Sequence, residues 1–223
     1  MLIRCAYPDC LNIFEIEPID LAKASLFNVI CPQCKRLMRA KSLDIIEKLM
    51  TRQKQNSNLD SIAIPLAQIA RFSVLLEDIR SLWNVGSIFR TADAAQVSQL
   101  YLSGITGCPP RPEITKTALG ADEILSWQYV CHPLDVISLL KSAGVMIVGL
   151  ERNDHSVSLV SALKNKKITQ PLCLVVGNEN AGLSPETIAN CHLICDLPMK
   201  GIKESLNVAS AFAVAAYFIN EFI

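Results

Sequence analysis

From about residue 62 onward, short apolar segments alternate with amphipathic segments of helical periodicity. Continuous apolar runs such as 145–150 and 172–176 are typical of strands that are buried on both faces of a sheet. The alternation therefore predicts an α/β fold with a parallel sheet covered by helices on both faces. The predicted strands are 73–79, 100–103, 145–150, 172–176 and 192–197, and the predicted helices are 85–95, 134–142, 185–190 and 206–218.

Two short cysteine pairs precede this region. Cys5 and Cys10 form the first pair, Cys31 and Cys34 form the second, and each pair encloses a proline that favours a tight turn. Four thiolates can hold Zn²⁺ in tetrahedral geometry. The pattern predicts a small four-cysteine, zinc-ribbon-like domain over residues 1–50. The alternatives are cysteines that only pack, or a ribbon that has lost its metal.

A polar linker is predicted to follow this domain. Residues 53–58 (QKQNSN) contain no apolar side chain, which is typical of a linker. We place the linker at 51–60 and a second domain at 61–223. Within the first domain, residues 42–50 have helical periodicity, and Ser42 is a candidate cap.

Charge is balanced over the whole chain but not along it. There are 21 basic and 21 acidic residues. The stretch 35–54, however, carries seven basic side chains and two acidic ones. The excess predicts phosphate contacts by Lys35, Arg36 and Arg39, and a solvated helix face is the alternative.

Cysteine usage indicates a reducing compartment. The nine cysteines occur without the apolar core of a secretory leader in residues 1–10, so metal binding or packing is favoured over a disulfide framework. The longest apolar stretch, 206–219, is shorter than the ~20 residues that span a bilayer. We expect a cytoplasmic protein that does not enter a membrane.

Three polar segments follow predicted strands, where ligands bind in open α/β sheets. In the first, Asn84 and Arg90 are about a turn and a half apart on a helix, so both can reach the same edge of the sheet. The second carries two glycines and Glu179. In the third, Ser205 can cap the following helix, with Asn207 in its first turn. Taken singly, each segment has an ordinary alternative: a helix cap, a surface arginine or a strand-ending turn.

Together and in this order, the three segments resemble the motifs of the SpoU family of SPOUT methyltransferases. The resemblance extends from about residue 74 to the C-terminus. It rests on N-x-G-x-x-x-R-T at 84–91, G-N-E-x-x-G-L-S at 177–184 and P-M-x-G-x-x-x-S-L-N-V at 198–208. The stretch K-T-A-L-G-A at 116–121 is also similar to the family. One departure is Gln96, where members often carry glycine.

The resemblance implies a deep C-terminal trefoil knot that holds S-adenosylmethionine, and methyl transfer to a ribose 2′-hydroxyl of tRNA or rRNA. It also implies a homodimer formed through the C-terminal helix region, with each active site completed across the interface. Core packing within one subunit is the alternative for the apolar side chains of that helix. Zinc, if bound, belongs to the N-terminal domain and takes no part in catalysis.

The resemblance also assigns roles to residues. Arg90 is implied in activation of the ribose, where its guanidinium stays protonated and therefore stabilises charge instead of accepting a proton. Asn84, Glu179, Ser205 and Asn207 are expected to complete the catalytic set. The expected cofactor-binding residues are Leu150, Gly177, Asn178, Glu179, Gly182, Leu197, Met199, Ser205 and Leu206. Further RNA contacts are expected from Arg111 and Lys116, for which a solvated loop is the alternative.

Three other functions compete with this one. A non-catalytic knotted RNA-binding protein is disfavoured by the intact set of Asn84, Arg90, Glu179 and Asn207. A knotted methyltransferase that modifies a base is disfavoured by Arg90 in the first motif. A zinc hydrolase is disfavoured because no histidine and carboxylate occur at the spacing of an open zinc site.

Overall fold

A computed structural model describes residues 2–5, 10, 12–15, 28–39, 44–45 and 71–223 of the protein. The chain divides into two compact units, Met1–Ser61 and Ile62–Ile223. The predicted linker at 51–60 lies outside the described residues. None of the helices within the described ranges has the length and apolar character that crossing a membrane requires.

The first unit contains short antiparallel strands. Strand β1 (Leu2–Arg4) pairs with β2 (Ile13–Glu15) on one side and with β5 (Asp44–Ile45) on the other. Strands β3 (Asn28–Ile30) and β4 (Leu37–Arg39) form a hairpin. The helix predicted over 42–50 is therefore wrong at β5, because pairing with β1 takes precedence over the local periodicity. The other residues of 42–50 lie outside the described part of the chain.

The second unit is built around a seven-stranded sheet in which every pair of neighbours is parallel. Its strands are β6 (Phe72–Glu77), β7 (Gln99–Ser103), β8 (Trp127–Val130), β9 (Met146–Leu150), β10 (Val157–Ser158), β11 (Leu172–Val176) and β12 (Leu193–Asp196), in the order β10-β12-β9-β11-β6-β7-β8. Its helices are α1 (Leu82–Ala94), α2 (Pro112–Ala118), α3 (Ala121–Ile124), α4 (Pro133–Ser142), α5 (Leu159–Lys164), α6 (Pro185–Asn190) and α7 (Val208–Phe222). The predicted parallel α/β fold is confirmed.

Helices cover both faces of this sheet. Successive strand side chains point to opposite faces, and in β11 Leu174 and Val176 enter one apolar cluster while Cys173 and Val175 enter another. The first cluster is completed by α1, α2, α5 and α7, and the second by α4 and α6. Burial on both sides explains why the central strands are continuously apolar in sequence.

Several short elements were not predicted. They are β8, β10, α2, α3 and α5, which span two to seven residues each. Elements this short do not complete enough periods for a hydrophobic pattern to identify them. Helix α2 also begins at Pro112, at the end of the Gly/Pro-rich stretch 104–112. Proline is well tolerated in the first turn of a helix.

The ends of two helices differ from the prediction. Helix α7 is capped by Asn207, whose Oδ1 accepts hydrogen bonds from the backbone N–H groups of Ala209 (3.0 Å) and Ser210 (3.3 Å). Ser205 is therefore not the cap, and Asn207 is not in the first turn. Helix α1 is capped by Ser81 and begins at Leu82, three residues before the predicted start.

Gln96 departs from the SpoU pattern at a position where the backbone favours glycine. Its φ is 50°, in the left-handed region that residues with a Cβ occupy at a cost. The turn after α1 thus contains a residue in the left-handed conformation, although that residue is glutamine and not glycine. The residue is exposed, so its side chain meets no packing conflict.

Candidate active site

An open cleft of about 270 Å³ lies where β9, β11 and β12 end. Its walls are drawn from residues 150–152, 176–182, 196–199 and 204–211. The first three segments follow the carboxyl ends of neighbouring strands, and the fourth leads into α7. This is the edge at which open parallel sheets bind their ligands.

The Glu179 carboxylate organises one wall of the cleft. Its Oε2 accepts a hydrogen bond from the backbone N–H of Arg80 (3.0 Å), and its Oε1 accepts from the N–H of Ser81 (2.9 Å) and from Nδ2 of Asn84 (2.9 Å). Burial alone would raise the pKa of Glu179. These hydrogen bonds outweigh burial, so the pKa is lowered and the group is ionised at neutral pH.

A second amide extends this network to the last helix. Nδ2 of Asn207 donates to Oδ1 of Asn84 at 3.1 Å, while Oδ1 of Asn207 caps α7. One chain of hydrogen bonds therefore joins the start of α1, the loop after β11 and the start of α7. The three polar segments of the sequence analysis meet at this point.

The loop after β11 folds back on itself so tightly that glycine is required. A Cβ on Gly177 would lie 2.4 Å from the carbonyl carbon of Gly182. Gly182 itself has a φ of 70°, and a Cβ there would meet the carboxylate of Glu151. The backbones of Asn178 and Gly182 exchange hydrogen bonds across the loop, at 2.9 and 3.0 Å.

The structure brings most of the predicted site residues together. All nine residues expected to bind the cofactor line the cleft: Leu150, Gly177, Asn178, Glu179, Gly182, Leu197, Met199, Ser205 and Leu206. Asn84 and Asn207 reach its wall through Glu179.

Arg90 does not join the cleft of its own chain. It is exposed on α1 and does not line the cleft. Six residues along a helix correspond to a rise of about 9 Å and a rotation of about 240° from Asn84. The expectation that Asn84 and Arg90 reach the same edge is therefore wrong within one chain.

The residues of the second unit that were predicted to contact RNA do not line the cleft. Arg111 caps α2 and Lys116 lies in its last turn, and both are exposed. In the first unit, Lys35 is exposed and Arg36 is partly exposed on the β3–β4 turn. The backbone of Arg39 lies in β4, and its side chain is outside the described residues.

Several cleft residues were not predicted. Glu151 directly follows β9, and Asp196 is the last residue of β12. The rule that ligands bind beyond strand ends would have found both. Oε2 of Glu151 accepts the backbone N–H of Leu183 at 2.9 Å, which ties the β9 strand end to the 177–184 loop. The other cleft residues not predicted are Arg152, Val176, Asn180, Glu204, Val208 and Ala211.

The four N-terminal cysteines form one cluster in the first unit. Their sulfur atoms all lie within 4.8 Å of one another, and the Cys5–Cys34 and Cys10–Cys31 pairs are each 3.6 Å apart. Sulfurs bound to one tetrahedral Zn²⁺ at about 2.3 Å would be about 3.8 Å apart. The observed spacing therefore fits a zinc ion.

The environment of Cys34 favours a thiolate. Burial alone would raise the pKa of this thiol. Hydrogen bonds with the backbone and side chain of Arg36 and with the thiols of Cys31 and Cys5 outweigh burial and lower the pKa to about 6. Metal ligation by cysteine requires the deprotonated form. The lowered pKa of Cys34 and the spacing of the four sulfur atoms therefore both fit a bound zinc ion.

The model of the SpoU rRNA Methylase family matches residues 71–217. The sequence is 28% identical over 144 residues to the 23S rRNA (guanosine-2'-O-)-methyltransferase RlmB of Coxiella burnetii, covering 65% of this chain and 56% of that protein. It is 29% identical over 148 residues to the tRNA (guanosine(18)-2'-O)-methyltransferase of Escherichia coli K12, covering 65% and 61%.

A solved structure of the same family is also similar to this chain. The SpoU methyltransferase AviRb from Streptomyces viridochromogenes, in complex with the cofactor AdoMet, superposes with a TM-score of 0.62 at 27% identity, covering 74% of this chain and 64% of that one. The chain thus spans less than two thirds of the length of each of these three proteins.

Proposed function

Because the chain belongs to the SpoU rRNA Methylase family, we propose that it transfers a methyl group from S-adenosylmethionine to a ribose 2′-hydroxyl of structured RNA, either tRNA or rRNA. The observation that carries this proposal is the cleft at the strand ends. It is built from the second and third motif segments and tied to the first by the Glu179–Asn84–Asn207 network.

S-adenosylmethionine fits the chemistry of this cleft. The volume of about 270 Å³ is close to the lower end of the range for small-molecule sites, about 300–1,000 Å³. Gly177 keeps the loop backbone close, as a backbone-lined cofactor site requires. Carboxylates of Glu151, Asp196 and Glu204 in the walls complement a ligand that carries sulfonium and ammonium charges.

The chain supplies orientation and charge to the transfer. When bound, the cofactor would supply a methyl group from a positively charged sulfur. The methyl–sulfur bond would break as the bond to the ribose oxygen forms, the neutral thioether would leave, and the hydroxyl proton would pass to solvent or phosphate. Alignment of the hydroxyl is the main requirement. Glu179, Asn84 and Asn207 hold the cleft wall in shape, and Ser205 lies on it. Arg90 orients a phosphate and stabilises negative charge on the ribose oxygen.

We place Arg90 in the site of a partner subunit. Within its own chain it lies outside the cleft. Helix α7 presents an exposed apolar face made of Val214, Tyr217, Phe218 and Phe222, which is what a homodimer interface needs. A dimer through this face would complete each cleft with a residue from the other subunit.

We also propose the trefoil knot that the family resemblance implies. Strand β12 lies between β9 and β10, although both precede it in the chain by more than 30 residues. Residues 151–156 connect β9 to β10 and span the place where β12 ends. An interior position for this late strand supports threading of the C-terminal segment through an earlier loop, against the usual avoidance of knots.

The N-terminal domain, which we assign to residues 1–50, holds zinc through Cys5, Cys10, Cys31 and Cys34. A linker at 51–60 joins it to the methyltransferase domain at 61–223, in line with the boundary between the two compact units. Lys35 and Arg36, together with Arg39, would contact RNA phosphates, so this domain serves to grip the substrate.

The decisive experiment is transfer of labelled methyl from S-adenosylmethionine to separated tRNA and rRNA pools. Methylation of a 2′-hydroxyl blocks alkaline cleavage of the next phosphodiester, so the label should appear in an alkali-resistant dinucleotide. Label in a mononucleotide would mean that a base is modified. Cofactor binding without transfer to either pool would contradict the proposed reaction on these RNAs.

Glu151 should prove to be a positioning residue for the cofactor loop. Glu151→Ala leaves the N–H of Leu183 without its charged acceptor, a contact worth about 1.5–3 kcal/mol. We expect S-adenosylmethionine to bind about 10-fold more weakly by calorimetry. Glu151→Gln retains an acceptor oxygen but loses the charge, and should bind with an affinity between those of the wild type and Glu151→Ala. Glu186→Ala, which removes an exposed acid outside the cleft, is the matched control; equal weakening by this control would contradict the assignment.

A further inference from the structure

We propose that the indole of Trp83 is a stacking platform for a nucleobase of the RNA substrate, with the adjoining phosphate held by Lys116. This inference rests on the proposed function and extends it from the methylated ribose to its neighbouring nucleotide. Trp83 belongs to none of the motifs discussed above.

Trp83 is unusually accessible for its residue type. Its side chain is 49% exposed, whereas tryptophan is normally among the most buried side chains on average. The protein's other tryptophan, Trp127, is partly buried and packs edge-on against Phe89, with the ring centroids 6.4 Å apart. The exposed part of the Trp83 ring therefore faces solvent and does not pack against the core.

One cationic side chain lies over this indole, and two more basic residues lie close to Trp83 in the chain or near the start of α1. Nζ of Lys116 lies 5.8 Å from the centroid of the Trp83 ring, within the range of a cation–π contact. Arg80 is exposed three residues earlier in the chain. A Cβ added to Gly107 would lie 3.7 Å from Cδ of Arg111 and would meet the Leu82 side chain, so this arginine lies near the start of α1.

Negative charge near the indole is sparse. The first turn of α1 contains no acidic residue, and Glu113 is the acid in the first turn of α2. The Glu179 carboxylate is engaged by three hydrogen-bond donors. An exposed aromatic ring beside a lysine is a combination that binds single-stranded nucleotides, through base stacking and phosphate contacts.

The position of Trp83 relates it to the reaction. It immediately precedes Asn84, whose amide contacts Glu179 in the wall of the cleft. A ribose entering the cleft must be presented in an accessible, unstacked segment of RNA. A base of that segment stacked on Trp83 would fix the position of the RNA backbone on one side of the ribose hydroxyl that is methylated.

A second copy of the chain is a poorer occupant for this surface. A two-fold symmetric contact uses the same surface of both copies, so it would gather two sets of Arg80, Arg111 and Lys116 in one interface. Like charges across an interface are destabilising. The apolar face of α7, defined above by Val214, Tyr217, Phe218 and Phe222, offers a dimer interface without this conflict.

Two single-tryptophan variants test the proposal directly. The Trp127→Phe protein reports only Trp83, and the Trp83→Phe protein reports only Trp127. We expect poly(U) to quench the fluorescence of the first protein and not of the second, because a stacked base quenches indole emission. Heparin, a polyanion without bases, should quench neither. Failure of bound poly(U) to quench Trp83 would overturn the proposal, whether or not the protein methylates RNA.

Kinetics provide the second test. Trp83→Ala should raise the KM for the RNA substrate by about 5- to 150-fold, the range for losing one base–aromatic stack, with unchanged affinity for S-adenosylmethionine. Trp83→Phe should recover most of the loss. Conversion of a dimer into a monomer by Trp83→Ala, detected by sedimentation, would assign the indole to a protein interface and overturn the proposal. Absence of methyl transfer in the wild type, with Trp83 still quenched, would instead refute the proposed reaction.

Discussion

A mixture of Arg90→Ala and Glu179→Gln subunits is expected to recover methyl-transfer activity that neither variant has alone. In the proposed homodimer, each change made in both subunits should reduce the rate by about 100- to 1,000-fold, the usual cost of losing one preorganised group that stabilises charge. The two residues act differently, because Glu179 shapes the cleft of its own chain while Arg90 lies outside that cleft.

The expected recovery follows from counting sites. Random assortment places one subunit of each kind in half of the dimers, and each such dimer contains one cleft with an intact Glu179 and an intact partner Arg90. Activity should therefore return to about a quarter of the wild-type value. The measurement is methyl transfer by the unsorted mixture; mixed dimers isolated through a different affinity tag on each subunit should reach about half of the wild-type value.

Two controls sharpen this experiment. Arg90→Ala alone should bind S-adenosylmethionine as the wild type does, because the side chain does not line the cleft. Arg90→Lys retains the charge but loses the planar fork, and should be only partly active. Verified mixed dimers without activity would mean that Arg90 serves the cleft of its own subunit.

Loss of zinc should unfold the N-terminal unit and leave the cleft intact. The structural zinc of small domains contributes about 10–16 kcal/mol of apparent binding free energy, which short strands such as β1 and β3 cannot replace. Cys34→Ala should abolish stoichiometric zinc, measured by elemental mass spectrometry. The amides of Cys5, Cys31 and Lys35, which are hydrogen-bonded in the folded unit, should then exchange rapidly with solvent.

The cleft serves as the internal reference for this prediction. S-adenosylmethionine affinity should be the same in wild type, Cys34→Ala and chelator-treated protein, because the cleft residues belong to the second unit. Cys191→Ala removes a partly exposed cysteine of the second unit and should retain zinc. Wild-type protein that takes up no zinc under reducing conditions would contradict the assignment.

The sequence was most informative where several residues had to satisfy one constraint together. The apolar run of β11 is buried on both faces of the sheet, and its boundaries were predicted to the residue. The 177–184 loop was recognisable because its glycines and its carboxylate are all required by one tight conformation. Such joint requirements leave a strong pattern in the sequence.

Features that depend on a choice between equivalent residues could not be read in the same way. Ser205 and Asn207 are both good helix caps, and the selection of Asn207 reflects its second contact with Asn84, 123 positions away. Glu151 acts through a hydrogen bond to Leu183 that no local pattern records. Arg90 points away from the cleft of its own chain because six helical residues rotate it by about 240° from Asn84.

The hydrogen bonds that join Asn84, Glu179 and Asn207 also fix when the cleft can exist during synthesis. Translation proceeds from the N-terminus, so the cysteine cluster and the first motif emerge well before the asparagine that completes the network. Until that residue is released and α7 docks, the Asn84 carbonyl lacks its Asn207 partner and the cleft lacks its fourth wall. If the N-terminal unit binds RNA as proposed, a nascent chain would hold RNA before its own cleft is complete, and the pairing of subunits that supplies Arg90 would come later still.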